Sequence, residues 1–311
     1  MVRHFLIDTD TASDDAVALV MAMRHPGVQI EAITVVAGNV SVDQGVQNAL
    51  YTVELCQCSV PVYRGMPGPL VRPLSTAQFV HGQDGMGDIG LPLLGREPAA
   101  GHAIQVMIVT IHSFAGKITL VALGPLTNVA SALSQDPSIA GKVRECVIMG
   151  GTGQGHGNVT PVGEYNFWAD PEAAKIVFEA GMPLKMVGWD ISRTYAVLDA
   201  NDAAQLRAIG TPLASFCIDI QASVQAYATN QSQLPGFDLP DPIAVAVALQ
   251  PEVATASRPL FVAIETQSEL CRGQSVVDHF AITGHEPNTE VVLEASRERF
   301  WSMLCDAVRM D

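Results

Sequence analysis

Four carboxylates fall within one short stretch near the start of the chain: Asp8, Asp10, Asp14 and Asp15, in the segment HFLIDTDTASDDAVALVMAM. A single aspartate at such a junction is explained by helix capping. Four together repel one another unless a cation or a polyhydroxyl ligand offsets the repulsion. The chemistry this pattern implies is a site for a hard, oxygen-seeking cation such as Ca²⁺. A second acidic feature is Asp241-Pro242 at the head of IAVAVAL. Its simplest reading is an N-cap followed by Pro in the first turn. It gains a ligand role if that helix start lies near Asp10, because Ca²⁺ gathers roughly six to eight oxygens from several segments. The glycine-rich MGGTGQGHGN is followed by Asn158, Glu164 and Asn166. These side chains offer the donors and acceptors that sugar hydroxyls require. No GxxxxGK[ST] is present, so the loop does not read as a phosphate cradle. His81 opens a second glycine-rich run, HGQDGMGD, and reads as a loop histidine.

The elements that must position these residues alternate between strand and helix. His4–Ile7 reads as a strand that gives way to an apolar helix, Ala16–Met23. Asp8 and Asp10, two apart on a strand end, share a face. Asp14 and Asp15 fall on the first helical turn, where free N–H groups and the helix dipole favour negative charge. Further strands are expected at Ile30–Ala37, Val60–Tyr63, Ile118–Leu123, Glu145–Met149 and Leu184–Val187. Helices are expected over Val42–Leu55, from about Asn128 to Leu133, and in PEAAKIVFEAG, with Asp170 as cap and Gly181 at its end. The alternation predicts an α/β fold with a mostly parallel open sheet covered by helices on both faces. In such sheets ligands bind beyond the carboxyl ends of the strands. The unusual polar segments lie at those ends: 8–10, 38–39, 123–125 and 149–151. RPLFVAIET and the ERFWSMLCDAV helix near the C-terminus read as structure without chemistry.

Composition narrows the partners. With 17 Lys+Arg against 32 Asp+Glu the net charge is −15, which argues against nucleic-acid and anionic membrane surfaces. No apolar run approaches a bilayer span, and the acidic motif begins too early to leave room for a signal peptide. Nothing divides the 311 residues, so a single domain is expected. The six cysteines are scattered, and Cys56 and Cys58 stand without a second pair. Reduced thiols in a cytoplasmic protein are the expectation.

DTDxxxDDAxAL, VxGN at 36–39, PVYxG at 61–65, HGxDGxGD at 81–88, GPLTN at 124–128 and MGG…GNxTPxxEYNxxxDPEAA from 149 to 174 recur in one order. Together they resemble the inosine–uridine preferring nucleoside hydrolase family. The resemblance covers residue 5 to about residue 250. It implies a Rossmann-like fold and a calcium-dependent enzyme that hydrolyses ribonucleosides to ribose and free base, working as a homodimer or homotetramer. Carried over, Asp10, Asp15, Asp241 and the main-chain carbonyl of Leu123 would ligate Ca²⁺, with Asp10 also the general base toward the attacking water. Asp14, Asn39, Asn166 and Asp241 would grip the 2′- and 3′-hydroxyls. Met149, Asn158 and Glu164 would surround the 5′ side. One departure stands out: Pro240 occupies the place where many members carry a histidine able to protonate the leaving base. In this it resembles the purine-selective inosine–adenosine–guanosine branch, which stacks the base on aromatic side chains. Tyr165, Trp168, Tyr227 and Phe237 are the candidate aromatics, Tyr165 foremost, and His81 is the motif histidine left to supply a proton.

Other readings make different predictions. A phosphatase of the DxDx[TV] type fails at Ala12, and a nucleoside phosphorylase lacks a basic cluster for phosphate. A broad or pyrimidine specificity, or a non-catalytic nucleoside-binding protein, keeps the same ribose contacts. Release of reducing sugar from inosine without phosphate separates the hydrolase from the phosphorylase and from the binding protein.

Overall fold

The computed structural model describes residues 2–232 and 234–309. Its strands, in chain order, are β1 (Arg3–Thr9), β2 (Val28–Val35), β3 (Val62–Arg64), β4 (Ile118–Ala122), β5 (Glu145–Met149) and β6 (Leu184–Val187). Then follow β7 (Val197–Asp199), β8 (Gly236–Asp238), β9 (Ala254–Ile264), β10 (Ser275–Asp278) and β11 (Thr289–Ala295). The helices of the first half are α1 (Ser13–Met23), α2 (Val42–Leu55), α3 (Gln78–His81), α4 (Ala103–Ser113) and α5 (Thr127–Gln135). Those of the second are α6 (Tyr165–Ala169), α7 (Pro171–Glu179), α8 (Trp189–Tyr195), α9 (Ala200–Arg207), α10 (Pro212–Asp219), α11 (Ala222–Tyr227), α12 (Pro240–Leu249) and α13 (Arg297–Arg309).

Nine strands form one sheet in the order β10-β9-β11-β6-β5-β4-β1-β2-β3. From β3 through to β11 every pairing is parallel, and β9 and β10 close the far edge antiparallel. The parallel half follows from strands that are apolar on both faces. Phe5 and Ile7, Val121 and Leu123, and Val147 and Met149 enter one core, which α1, α2, α10, α12 and α13 cover. The intervening Leu6, Leu120, Ala122, Cys146 and Ile148 enter the other, under α4, α5 and α7. That is the period-two alternation of a strand read out on two buried faces. The antiparallel edge was not legible, because β9 mixes polar and charged residues into its first half and β10 spans only four residues.

Caps fix where the helices begin. Asp170 accepts from the Ala173 N–H (3.1 Å) with Pro171 in the first turn, as its sequence suggests. The same carboxylate also takes the Leu70 N–H (2.8 Å) and the Thr127 hydroxyl (2.7 Å), tying α7 to α5 and to the segment after β3. All six cysteines are free thiols. Among the described residues no helix is long and apolar enough to cross a membrane.

Candidate active site

At the carboxyl end of β1 the chain turns through Asp10, Thr11 and Ala12 into α1, and the four early carboxylates divide. Asp8 turns away from the others: it accepts from Thr34 Oγ1 (2.6 Å) and Asn128 Nδ2 (2.8 Å), joining β1, β2 and α5. Both donors land on Asp8 Oδ1; its Oδ2 is buried without a partner, and Asp8 stands outside the group that Asp14, Asp15 and Asp241 form. Asp15 accepts from Thr9 Oγ1 (2.5 Å) and the Ala12 N–H (2.9 Å), and these bonds fix its rotamer. Asp10 Oδ2 accepts from the Asn39 N–H (2.6 Å), while its Oδ1 is buried with no partner, as is Asp14 Oδ1. Gly38 and Gly124 enclose Asp10: a Cβ on Gly38 would lie 2.1 Å from Oδ2, and one on Gly124 2.6 Å from Oδ1. Only glycine leaves room for that carboxylate.

Asp241 completes the cluster from the first turn of α12, which packs beside α1. Leu239, not Asp241, is the N-cap of α12, and no side chain caps that helix. The bland capping reading of Asp241 is therefore set aside: its carboxylate faces the acids of α1. Oxygens of Asp14, Asp15 and Asp241 all lie within 4.8 Å of one another. Asp14 thus joins Asp15 and Asp241 in this compact group, with Asp10 alongside and close enough for its charge to act on Asp241. Burial raises the pKa of every one of them, to about 7 for Asp14 and about 6 for Asp15. For Asp10 and Asp241 the charge of Asp15 adds to burial. Like charges packed in a dry site, with two oxygens left unsatisfied, fit a hard divalent cation.

Above this acidic floor is a cavity of about 410 Å³, within the range of small-molecule sites. Asn39, Leu123, Met149 and Asn166 stand at its base. Asn166 Nδ2 donates to the Leu123 carbonyl (2.6 Å) and reaches that of Met149 (3.2 Å), so the amide is fixed by the ends of β4 and β5. Glu164 lines the wall, but its oxygens accept from the N–H groups of Gly151 (2.7 Å), Asn166 (2.8 Å) and Phe167 (3.3 Å). It caps α6 and holds the glycine loop; burial raises its pKa to about 7 against those three donors. The loop itself is shaped: the N–H groups of Asn158 and Val159 converge on the Gly163 carbonyl (3.1 and 3.2 Å), leaving Asn158 exposed at the cavity mouth.

His81 is not the solvated loop residue its glycine-rich surroundings suggest. It ends α3, is buried, and its Nδ1 pairs with Ser13 Oγ (3.0 Å), 3.7 Å from Asp14 Oδ1. Burial lowers its pKa to about 4, which outweighs the nearby charges of Asp15 and Asp238. The buried Asn48 of α2 donates to the carbonyls of Thr11 and Asp84 (both 2.9 Å) and so locks the acidic turn to the loop that follows His81.

Comparison with known proteins accounts for this arrangement. The sequence profile described as inosine-uridine preferring nucleoside hydrolase matches residues 5–302. The chain belongs to this family. It is a hydrolase acting on the N-glycosyl bonds of ribonucleosides. It is 36% identical over 311 residues to the pyrimidine-specific ribonucleoside hydrolase RihA of Salmonella schwarzengrund (strain CVM19633), covering 99% of both chains. Among solved structures, the plant nucleoside hydrolase PpNRh1 superposes with a TM-score of 0.94 at 30% identity, with full coverage of both chains. The purine-preferring ribonucleoside hydrolase from Gardnerella vaginalis superposes at 0.91 with 29% identity, over 99% of this chain and 98% of that one.

The rim of this nucleoside hydrolase's cavity comes from later, short elements. Tyr165 and Tyr227 line it; Trp168 instead packs under Arg272, and Phe237 is buried in β8, so two of the four candidate aromatics belong to the scaffold. Tyr165 donates its hydroxyl to the Ser75 carbonyl (2.8 Å), and Tyr227 meets Phe79 edge-on at 5.8 Å. Phe79, Trp189, Arg193 and Asp238 escaped the reading of the sequence. Trp189 had a usable signal, since it lies two residues past the carboxyl end of β6, where this fold binds ligands. Phe79 and Asp238 had none, since only folding brings α3 and β8 to the mouth.

Proposed function

We propose that the protein is a calcium-dependent ribonucleoside N-ribohydrolase. The observation that carries this reading is the buried acidic floor, with unsatisfied oxygens on Asp10 and Asp14, at the base of a nucleoside-sized cavity. Asp10, Asp15, Asp241 and the Leu123 carbonyl would hold the cation; that carbonyl keeps a lone pair beyond the one used by Asn166. A bound divalent cation supplies charge that acidifies and orients water. Asp10, immobilised by the Asn39 N–H and two glycines, takes the proton of the attacking water through its free Oδ1. Asp14, Asn39 and Asn166 bind the vicinal ribose hydroxyls, and these bonds strengthen as C1′ gains oxocarbenium character. His81, kept neutral by burial, offers the leaving base an N–H donor. Glu164 acts by fixing Asn166 and the glycine loop, and Asn158 meets the 5′ end.

For the base, the reading is purine over pyrimidine. Pro240 brings no proton donor to the mouth, and the rim offers the aromatic rings of Trp189 and Tyr227 as apolar surfaces for the two fused rings of a purine. The opposing observation is the 36% identity to a pyrimidine-specific relative over nearly the whole chain. One assay tests both levels: reducing-sugar release from inosine, adenosine, guanosine, uridine and cytidine, with calcium and after chelation. Release without phosphate that disappears on chelation and returns with Ca²⁺ is the expected result. Activity untouched by chelation overturns the cation assignment, and efficient uridine cleavage overturns the purine assignment alone.

A further inference from the structure

Arg193 is the one Lys or Arg among the described residues that line the cavity. Its guanidinium lies over the Trp189 ring, 4.7 Å from the centroid; its charge reaches the Asp238 carboxylate, but no hydrogen bond or close ion pair joins the two. Elsewhere in the chain arginines near carboxylates are engaged: Arg72 with Glu172, Arg96 with Glu54, Arg297 with Asp202. Arg193 is held in place and its donors are left over. The shelf under it is built. Asp238 accepts from Ser192 Oγ (2.8 Å) and from the Trp189 side chain, so α8 is anchored to β8 and the indole cannot swing away. Asp190 accepts from the N–H groups of Gly153 (2.9 Å) and Gln154 (3.0 Å), fixing the same helix start to the glycine loop. A planar cation stacked on an aromatic face presents its N–H fork sideways, toward acceptors in the plane of a neighbouring ring.

We infer that Arg193 is a specificity-determining residue that donates hydrogen bonds to the nucleobase's carbonyl oxygen at the ring position where adenine and cytosine carry their amino group. The inference rests on the ribohydrolase reading above. With ribose on the acidic floor, the base projects toward the rim that Trp189, Arg193 and Tyr227 form. A donor fork there accepts an oxo group and opposes an exocyclic amino group at the same ring position, whose own hydrogens point at it. A site built to pair with a polar substituent discriminates strongly against an analogue lacking it. The same contact aids bond breaking. When the C1′–N bond breaks, its electron pair passes to the base and spreads onto the ring oxygen. Water oxygen bonds to C1′, Asp10 takes the water proton, and the base nitrogen regains one from solvent. Arg193 neutralises the oxygen's growing charge without itself transferring a proton. Oxo bases, inosine and uridine, are therefore favoured over the amino bases adenosine and cytidine, whatever the choice between purine and pyrimidine.

The test compares the parent with Arg193→Met and Arg193→Lys on inosine, purine riboside (the same base without the oxygen), 4-nitrophenyl riboside and inosine 5′-monophosphate. The parent should prefer inosine over purine riboside. In Arg193→Met the kcat/KM for inosine should fall at least about tenfold more than that for purine riboside or the nitrophenyl riboside. Arg193→Lys should recover part of the lost discrimination. An equal loss on all ribosides, or no change in the ratio, overturns the inference. A loss confined to the 5′-monophosphate also overturns it and places Arg193 at the 5′ end. If the parent cleaves no riboside at all, the ribohydrolase reading itself has failed, a result distinct from these.

Discussion

Asp10 and Asp14 carry similar unsatisfied oxygens, yet their proposed duties differ, and variants separate them. Asp10→Ala removes a ligand and the base together, so turnover of inosine should drop by several orders of magnitude, on the order of 10³ or more. Asp14→Asn should keep most of the calcium affinity while losing discrimination for the 2′-hydroxyl. Calorimetric titration with CaCl₂ decides between them: if Asp14→Asn weakens binding as much as Asp15→Asn, the compact Asp14–Asp15–Asp241 group is the actual ligand set. For the parent, 2′-deoxyinosine should be a far poorer substrate than inosine, because the hydroxyl-binding groups would be left unpaired. Comparable kcat/KM values for the two nucleosides would contradict the ribose assignment.

Among the elements, the strand ends that carry the floor were legible in the sequence and the rim was not. β1, β2, β4, β5 and β6 are strands rich in apolar residues that end at polar or glycine residues, a local pattern that reading along the chain detects. The burial of His81 and the uncapped start of α12 depend on packing between segments far apart, and no local pattern encodes them. The separate place of Asp8 has the same origin: its partners Thr34 and Asn128 are 26 and 120 residues away. Asp170 shows how much one cap can carry. Asp170→Ala would strip partners from the Leu70 and Ala173 N–H groups and from the Thr127 hydroxyl, a cost of about 2–4 kcal/mol. Thermal denaturation should show a fall of several degrees, with kcat/KM per folded molecule close to that of the parent. Loss of catalysis at unchanged melting temperature would mean that Asp170 shapes the site directly.

For the molecule as a whole, proton and cation compete for one cluster. Burial raises Asp14 to about 7 and Asp15 to about 6, against an ordinary carboxylate value near 4. Without metal, the native state holds protons that the unfolded chain has already released. The stability from these groups is therefore complete below about pH 4 and is lost as pH rises toward about 7. On the proposed calcium reading the ion would take the ionised form, so its stabilising effect would grow across that same window. The difference in melting temperature with and without CaCl₂ should be small at about pH 5 and large at about pH 8. A difference independent of pH would place calcium elsewhere.

The separation of floor from rim has a meaning for descent as well as for chemistry. Gly38 and Gly124 press so closely on Asp10 that a side chain at either would collide with its carboxylate, whereas Trp189, Arg193 and Tyr227 lie at the rim, clear of that carboxylate. A lineage can therefore drift from one nucleoside to another through a few codons while the machinery that breaks the bond is inherited intact. A library randomised at 189, 193 and 227 should return many clones active on an activated riboside with scattered base preferences. One of equal size at 10, 38 and 124 should return almost none.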